Sequence, residues 1–279
     1  MSQYNLITLS DMDSRNGVQG NVFVGGDLVN QQSANYGTGS DGGYVLKVRG
    51  SVVHGAPLNV NNGGVVVGQG SISQQNSNQW RINSRQLNLN NPGGLGVTNG
   101  NLQQELNDIE QGIKAWSLEL KNKSTNGNGF TPASSSSQQV TINVASKDND
   151  GIATVSLNGA VLFNSNFVSS VLVNHSANAD LIVINVSGST IQFPNSINFS
   201  EDNSLRGKIV WNFHEATSMD MQQKQFPGAL LAPLADVTNP GSIKGSCAVK
   251  SIVTLSSLET PTLSTSYGDS AWCQAVECL

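Results

Sequence analysis

The chain has 279 residues, of which 12% are charged and 37% apolar, and its formal net charge is −5. Soluble proteins carry about 25% charged residues, so this surface is neutral-polar; the apolar fraction still suffices for a core, which argues against charge-driven disorder, and the missing basic footprint argues against nucleic acid as a partner. With 29 Gly, 33 Asn and 36 Ser and no collagen period, the composition favours a fold made of many tight turns.

The opening Met1-Ser-Gln-Tyr-Asn-Leu6 shows no basic region followed by an apolar run, so no secretory signal is read there. From Gly17 onwards short apolar bursts return between Gly and Asn: Val22-Phe-Val24, Val45 to Val48, Val52-Val53, Val65 to Val67 and Ser71-Ile72. Bursts this short suit the rungs of a parallel β-helix, whose coils stack and whose corners need Gly or Asn. A β-sandwich is the alternative, because it also shows turn signals at short intervals. Leu102, Leu106, Ile109, Ile113, Trp116 and Leu120 recur at spacings of four and three and predict one amphipathic helix over about 102–123. Glu105, Asp108 and Glu110 come early in it and Lys121 and Lys123 late, as the helix dipole prefers. Its apolar stripe is expected against the flank of the β domain.

Residues 124–139, including Ser134 to Ser137, read as a flexible loop. Alternation resumes at Val140, Ile142 and Val144, and Asp148-Asn-Asp-Gly151 reads as a turn rather than a calcium site. Leu181 to Val186 is apolar on both faces, as an inner rung would be. No stretch approaches the ~20 apolar residues of a membrane span. The division expected is one β domain over 1–260 and a Cys-containing tail over 261–279.

Cys247, Cys273 and Cys278 lack zinc spacing, and their odd number leaves at least one thiol unpaired within the chain. They are candidates for disulfides, including bridges between molecules; free thiols in a reducing compartment are the alternative. Asn122, Asn174, Asn185 and Asn198 each begin an Asn-x-Ser pattern and are candidate glycosylation acceptors. His54, His175 and His214 are scattered, and His214-Glu215 lacks the second His of a zinc-protease helix. Asp11 with Asp13, or Asp236 with Glu215, could pair as carboxylates, although turn or cap roles explain each more simply. Neither a phosphate cradle nor a nucleophile elbow is present. The expectation is therefore no catalytic residue, no metal and no cofactor.

Lys208-Ile-Val-Trp-Asn-Phe-His-Glu-Ala-Thr217 is followed by Phe226-Pro-Gly-Ala-Leu-Leu-Ala-Pro-Leu-Ala-Asp-Val237 and then by Gly241 and Gly245. This series, together with the opening Asp13 to Gly26, resembles the choice-of-anchor A domain family. The resemblance implies a right-handed parallel β-helix with the helix alongside, in a surface or matrix protein without catalytic residues. A free-standing copy with terminal cysteines is similar to fungal vacuolar proteins that pack into crystals used as gravity-sensing bodies. It implies a chain whose partner is itself, joined by intermolecular disulfides in a vacuole. The alternative is an adhesin or ligand-binding module outside the cell or on its surface. Ice binding is a third reading, because a β-helix beside a long helix is the plan of one antifreeze family; the regular Thr-x-Thr ladder it would need is missing from the sequence.

Overall fold

In the computed structural model, residues 3–30, 32–40, 42–126, 128–130, 138–163, 167–175, 178–200 and 205–259 are described. Short strands dominate, as the Gly and Asn punctuation predicts, and nearly all of them pair in parallel with a strand one coil away. One coil shows the plan. Val22–Val24, Leu28–Asn30 and Ala34–Thr38 follow one another round three sides, and each lies against its counterpart in the next coil, at Leu46, Val52 and Leu58 respectively. Two of these sides merge into a fourteen-stranded sheet, and the third forms a nine-stranded sheet. A separate four-stranded sheet contains Gln138–Val144 and Val168–His175. Among the described residues antiparallel pairing occurs only where Ile72–Gln74, Gln79–Ile82 and Arg85–Asn90 fold on one another, and where Gly129–Phe130 meets Gln138–Val144. An antiparallel sandwich, the alternative expectation, is not what forms.

The coils do not stack in chain order. An inward-facing ladder runs Val97, Val65, Leu46, Val22, Leu6, Cys247, Leu230, Trp211, Ile184, Val155, each residue paired with the next. Every member is buried in one continuous core. The first half of the chain therefore coils away from Leu6 to Val97. The second half starts at the opposite end and coils back until Cys247 meets Leu6. Backbone bonds seal this seam: the amide of Cys247 donates to Asn5 O at 2.8 Å, that of Leu9 to Val249 O at 3.0 Å and that of Ser10 to Lys250 O at 2.7 Å. Close coil contact at the neighbouring corner depends on Gly245, because a Cβ there would stand 2.3 Å from the carbonyl of Gly228.

The return path is the predicted helix, α1 (Gln103–Asn122), one residue shorter at each end than its periodicity suggests. The N-cap position, Leu102, makes no side-chain cap bond, but just ahead of it the side-chain oxygen of Asn101 accepts from the amide of Gln103 at 3.0 Å. The stripe Leu106, Ile109, Ile113, Trp116 and Leu120 is buried against Ile7, Phe23 and Val66 from the first half and Val183, Val210, Leu231 and Ala248 from the second. Each such side chain contributes about 1.5–3 kcal/mol on burial, so the helix straps both halves of the stack together.

Polar contacts fix its position along the stack. Near the start, Glu105 accepts from Tyr4 Oη and pairs with Lys47 Nζ at 2.8 Å. Burial, and then the hydrogen bond and charge of Glu105, raise the Tyr4 phenol above its ordinary range, so it remains a donor. Near the end, the amide of Asn212 donates to Ser117 O at 2.8 Å and to Asn185 Oδ1 at 2.7 Å, while Ser117 Oγ donates to Asn212 Oδ1 at 2.6 Å. Asn185 Nδ2 in turn reaches Leu120 O at 2.7 Å.

Within the expected 124–139 loop, Gly129–Phe130 is a strand and Gln138 opens the next one. The side chain of Asn126 donates to Ile152 O at 2.9 Å, and Asn128 bonds both the carbonyl and the amide of Ser146, along the edge of the strand Ile152–Asn158. Side-chain amides stand here where a further strand would otherwise pair.

Replacing Asn212 with Leu should lower stability by roughly 2–4 kcal/mol, because Ser117 Oγ and Asn185 Oδ1 would be left buried without their partner. A reduced urea midpoint is expected; an unchanged midpoint would show that the helix is held by its apolar stripe alone.

Candidate functional site

The third side of the stack presents the most regular exposed surface. On Ala34–Thr38, Leu58–Asn61 and Arg85–Asn90, apolar residues alternate with amides, so Leu58, Val60, Leu87 and Leu89 point into the core. The residues between them form two outward rows. In the first, Asn35 lies opposite Asn59 and Asn59 opposite Asn88, and Asn88 Nδ2 donates to Asn59 Oδ1 at 2.9 Å. In the second, Asn90 Nδ2 donates to Asn61 Oδ1 at 3.0 Å, and Asn61 Nδ2 reaches Thr38 Oγ1 at 3.3 Å. Asn35, Thr38 and Asn90 are exposed, and the other three are half-buried. None of these side chains carries a formal charge. Each amide offers two donor hydrogens and an oxygen with two lone pairs, and a ladder bond leaves part of that capacity facing solvent. Neighbouring strands set the amides about 4.7–4.9 Å apart within a row.

The second side differs in kind. Asp11 Oδ1 accepts from the amide of Asp27 at 2.8 Å, and Asp27 Oδ1 from that of Ser51 at 2.7 Å, so these carboxylates bind successive corners together. Asp236 accepts from Ser251 Oγ at 2.6 Å and pairs with Lys250 at 2.8 Å. Burial would raise its carboxyl, but the hydrogen bonds from Lys250 and Ser251 and the Lys250 charge outweigh this and hold it below the usual range.

The candidate residues from the sequence are dispersed by the fold. Cys247 is completely buried between Leu230 and Leu6, and burial pushes its thiol well above the ordinary range. It is a free packing residue and cannot reach another molecule from the folded domain. Cys273 and Cys278 lie outside the described residues. Of the acceptor asparagines, Asn122, Asn174 and Asn198 are exposed, whereas Asn185 is buried beneath α1 and serves the helix clamp. Glu215 does not join Asp236 as a second carboxylate on one group: its Oε1 accepts from the amide of Gly188 at 2.6 Å. Burial, partly opposed by the charge of Glu215, lowers the pKa of His214. Asp148 accepts from the amides of Asp150 and Ile152 and shapes the turn read from the sequence. Among the described residues no group of three or more His, Cys, Asp or Glu could hold a metal ion, and no helix is long and apolar enough to cross a membrane.

Comparison with known families decides the relationship. Residues 1–260 match the family described as "Putative Ice-binding-like adhesive domain". The chain belongs to this family. The match does not reach the narrower expectation: neither the choice-of-anchor A assignment nor the crystal-forming fungal relative receives support from it. No curated protein and no solved structure matches the chain. Composition alone hides the amide rows, because Asn reads first as turn punctuation. Their signal was present in Leu58-Asn-Val-Asn61 and Leu87-Asn-Leu-Asn90, where strict alternation marks Asn as the outward residue of a strand.

In a variant carrying Cys273→Ser and Cys278→Ser, Cys247 should react with a thiol reagent only as fast as the whole domain unfolds. Stoichiometric labelling within seconds in native buffer would mean that the seam opens locally.

Proposed function

We propose that this chain is a non-enzymatic adhesive module acting at the cell surface or outside the cell, and that it holds its ligand on the amide-lined third side of a right-handed coil. Membership in an adhesive-domain family supports adhesion. The carrying observation is the pair of outward rows, Asn35, Asn59, Asn88 and Thr38, Asn61, Asn90: an exposed, uncharged array fixed by its own hydrogen bonds. Right-handed winding is favoured because parallel strands joined by crossovers within one sheet adopt that hand almost without exception.

A binding surface of this kind needs no reactive group. It needs repetition and rigidity, and the stacked coils supply both. Side chains already held in place lose little freedom when a ligand arrives, which favours affinity. The reading of a vacuolar crystal joined by disulfides draws no comparable support. Cys247 is sealed in the core, and the family match favours surface adhesion instead.

The full chain coupled to beads should be retained under flow on surfaces coated with extracellular material. Changing Asn59 and Asn61 together to Ala should weaken retention by about tenfold, as loss of two or so hydrogen bonds implies, while leaving the thermal midpoint within a few degrees. Equal retention of this variant would place the ligand elsewhere on the stack.

A further inference from the structure

We propose that the ligand of the amide-lined side is a neutral, linear polysaccharide lying across the strands, along the axis of the stack. The inference rests on the adhesive reading and names the chemical class that the same site would take.

Charge is the first consideration. Formal charges are concentrated off the two rows: Asp11, Asp27, Asp236 and Lys250 lie on the second side, Glu110 and Lys114 on the exposed part of α1, and the exposed Arg81 and Arg85 on the third side beside the Asn88 end of the rows. The two amide rows carry none. A polyuronate, a sulfated glycan or a nucleic acid would find no counter-charge within the rows and would meet Arg81 and Arg85 only beside their Asn88 end.

Hydrogen-bonding chemistry is the second. After Asn88 has donated to Asn59, each of the two amides still has a donor and an acceptor to offer. Adjacent hydroxyls on a sugar ring present the same pairing, one donating while the other accepts, so an amide can close two bonds with a vicinal diol. An apolar ligand would instead leave the outward amides without water or partner, which is unfavourable.

Repetition is the third. The rows repeat at each strand, about 4.7–4.9 Å apart, and on Leu58–Asn61 and Arg85–Asn90 they stand two residues apart along the strand, about 6.6 Å. A linear polysaccharide repeats its hydroxyls along its length, whereas the surface of a globular protein has no such repeat. Three successive strands, Ala34–Thr38, Leu58–Asn61 and Arg85–Asn90, would meet successive sugars of one chain.

Neither row contains an aromatic ring on which a sugar could stack. Binding would rest on many weak hydrogen bonds acting together, so short soluble sugars should bind poorly and long or insoluble polymers well.

The full chain would be tested for retention on insoluble neutral glucan and mannan whose rings keep a free vicinal diol, with polyuronate and sulfated polymer as charged comparisons. Retention is expected on at least one neutral polymer and on neither charged one. Asn59→Asp with Asn61→Asp, which keeps side-chain size but removes donors, should reduce it at least about tenfold. Asn143→Asp, at an exposed amide pair on the four-stranded sheet, should have no effect. If the double variant fails to fold, periodate treatment of the polymer supplies the deciding result: cleaving its vicinal diols should abolish retention of the unaltered chain. Persistence on the oxidised polymer, or equal loss with Asn143→Asp, would overturn the proposal. Should the chain adhere to ice or to protein-coated surfaces but to no neutral polymer, the polysaccharide inference falls and the adhesive reading stands. Adhesion to none of these surfaces would remove both.

Discussion

A parallel coil leaves an unpaired row of backbone donors and acceptors on each side, and the whole fold depends on how those rows are met. Within the stack each coil satisfies the next. At the middle, where the two halves would otherwise present open edges to each other, Leu6–Thr8 lies between Val22–Val24 and the strand beginning at Cys247. At the tips the solution changes: antiparallel strands lie beside Arg85–Asn90 and Gln138–Val144, and the side chains of Asn126 and Asn128 bond along the edge of Ile152–Asn158. Asparagine does here what a strand would do, without offering another edge to pair with.

The same residue type therefore has three separate uses, and each depends on depth. At the tip, Asn126 and Asn128 stand in for backbone. Beneath α1, Asn185 and Asn212 are buried among apolar neighbours and fix the axial position of the helix, where a purely apolar contact would let it slide. On the third side the amides bond one another and remain in contact with solvent. Buried polar groups of the second kind contribute specificity only when fully paired, and the Ser117, Asn185 and Asn212 set meets that condition through both side chains and helix carbonyls.

Much of this architecture was legible in the residue pattern. The spacing from Leu102 to Leu120 located the helix, and the continuous apolar run at Leu181–Val186 marked a strand covered on both faces, by the core inside and α1 outside. Parallel coils followed from bursts too short for hairpins. The order of stacking did not follow, because a strand's sequence says which face is buried but not which distant strand lies beside it; nothing around Leu6 or Cys247 announces their pairing. Burial also separates otherwise identical patterns. Asn185-Val-Ser and Asn174-His-Ser read alike as acceptor sites, yet one is enclosed under the helix and the other faces outward.

The out-of-order stack also constrains how the protein is made. The strand Leu6–Thr8 leaves the ribosome long before its second neighbour, Cys247–Leu255. Until Cys247–Leu255 is made, the first half must stand with one long edge open, in a topology whose decisive contact joins strands far apart in sequence and therefore forms slowly. A nascent chain of this design is exposed to pairing with its neighbours on a polysome until the coil that carries Cys247 is released.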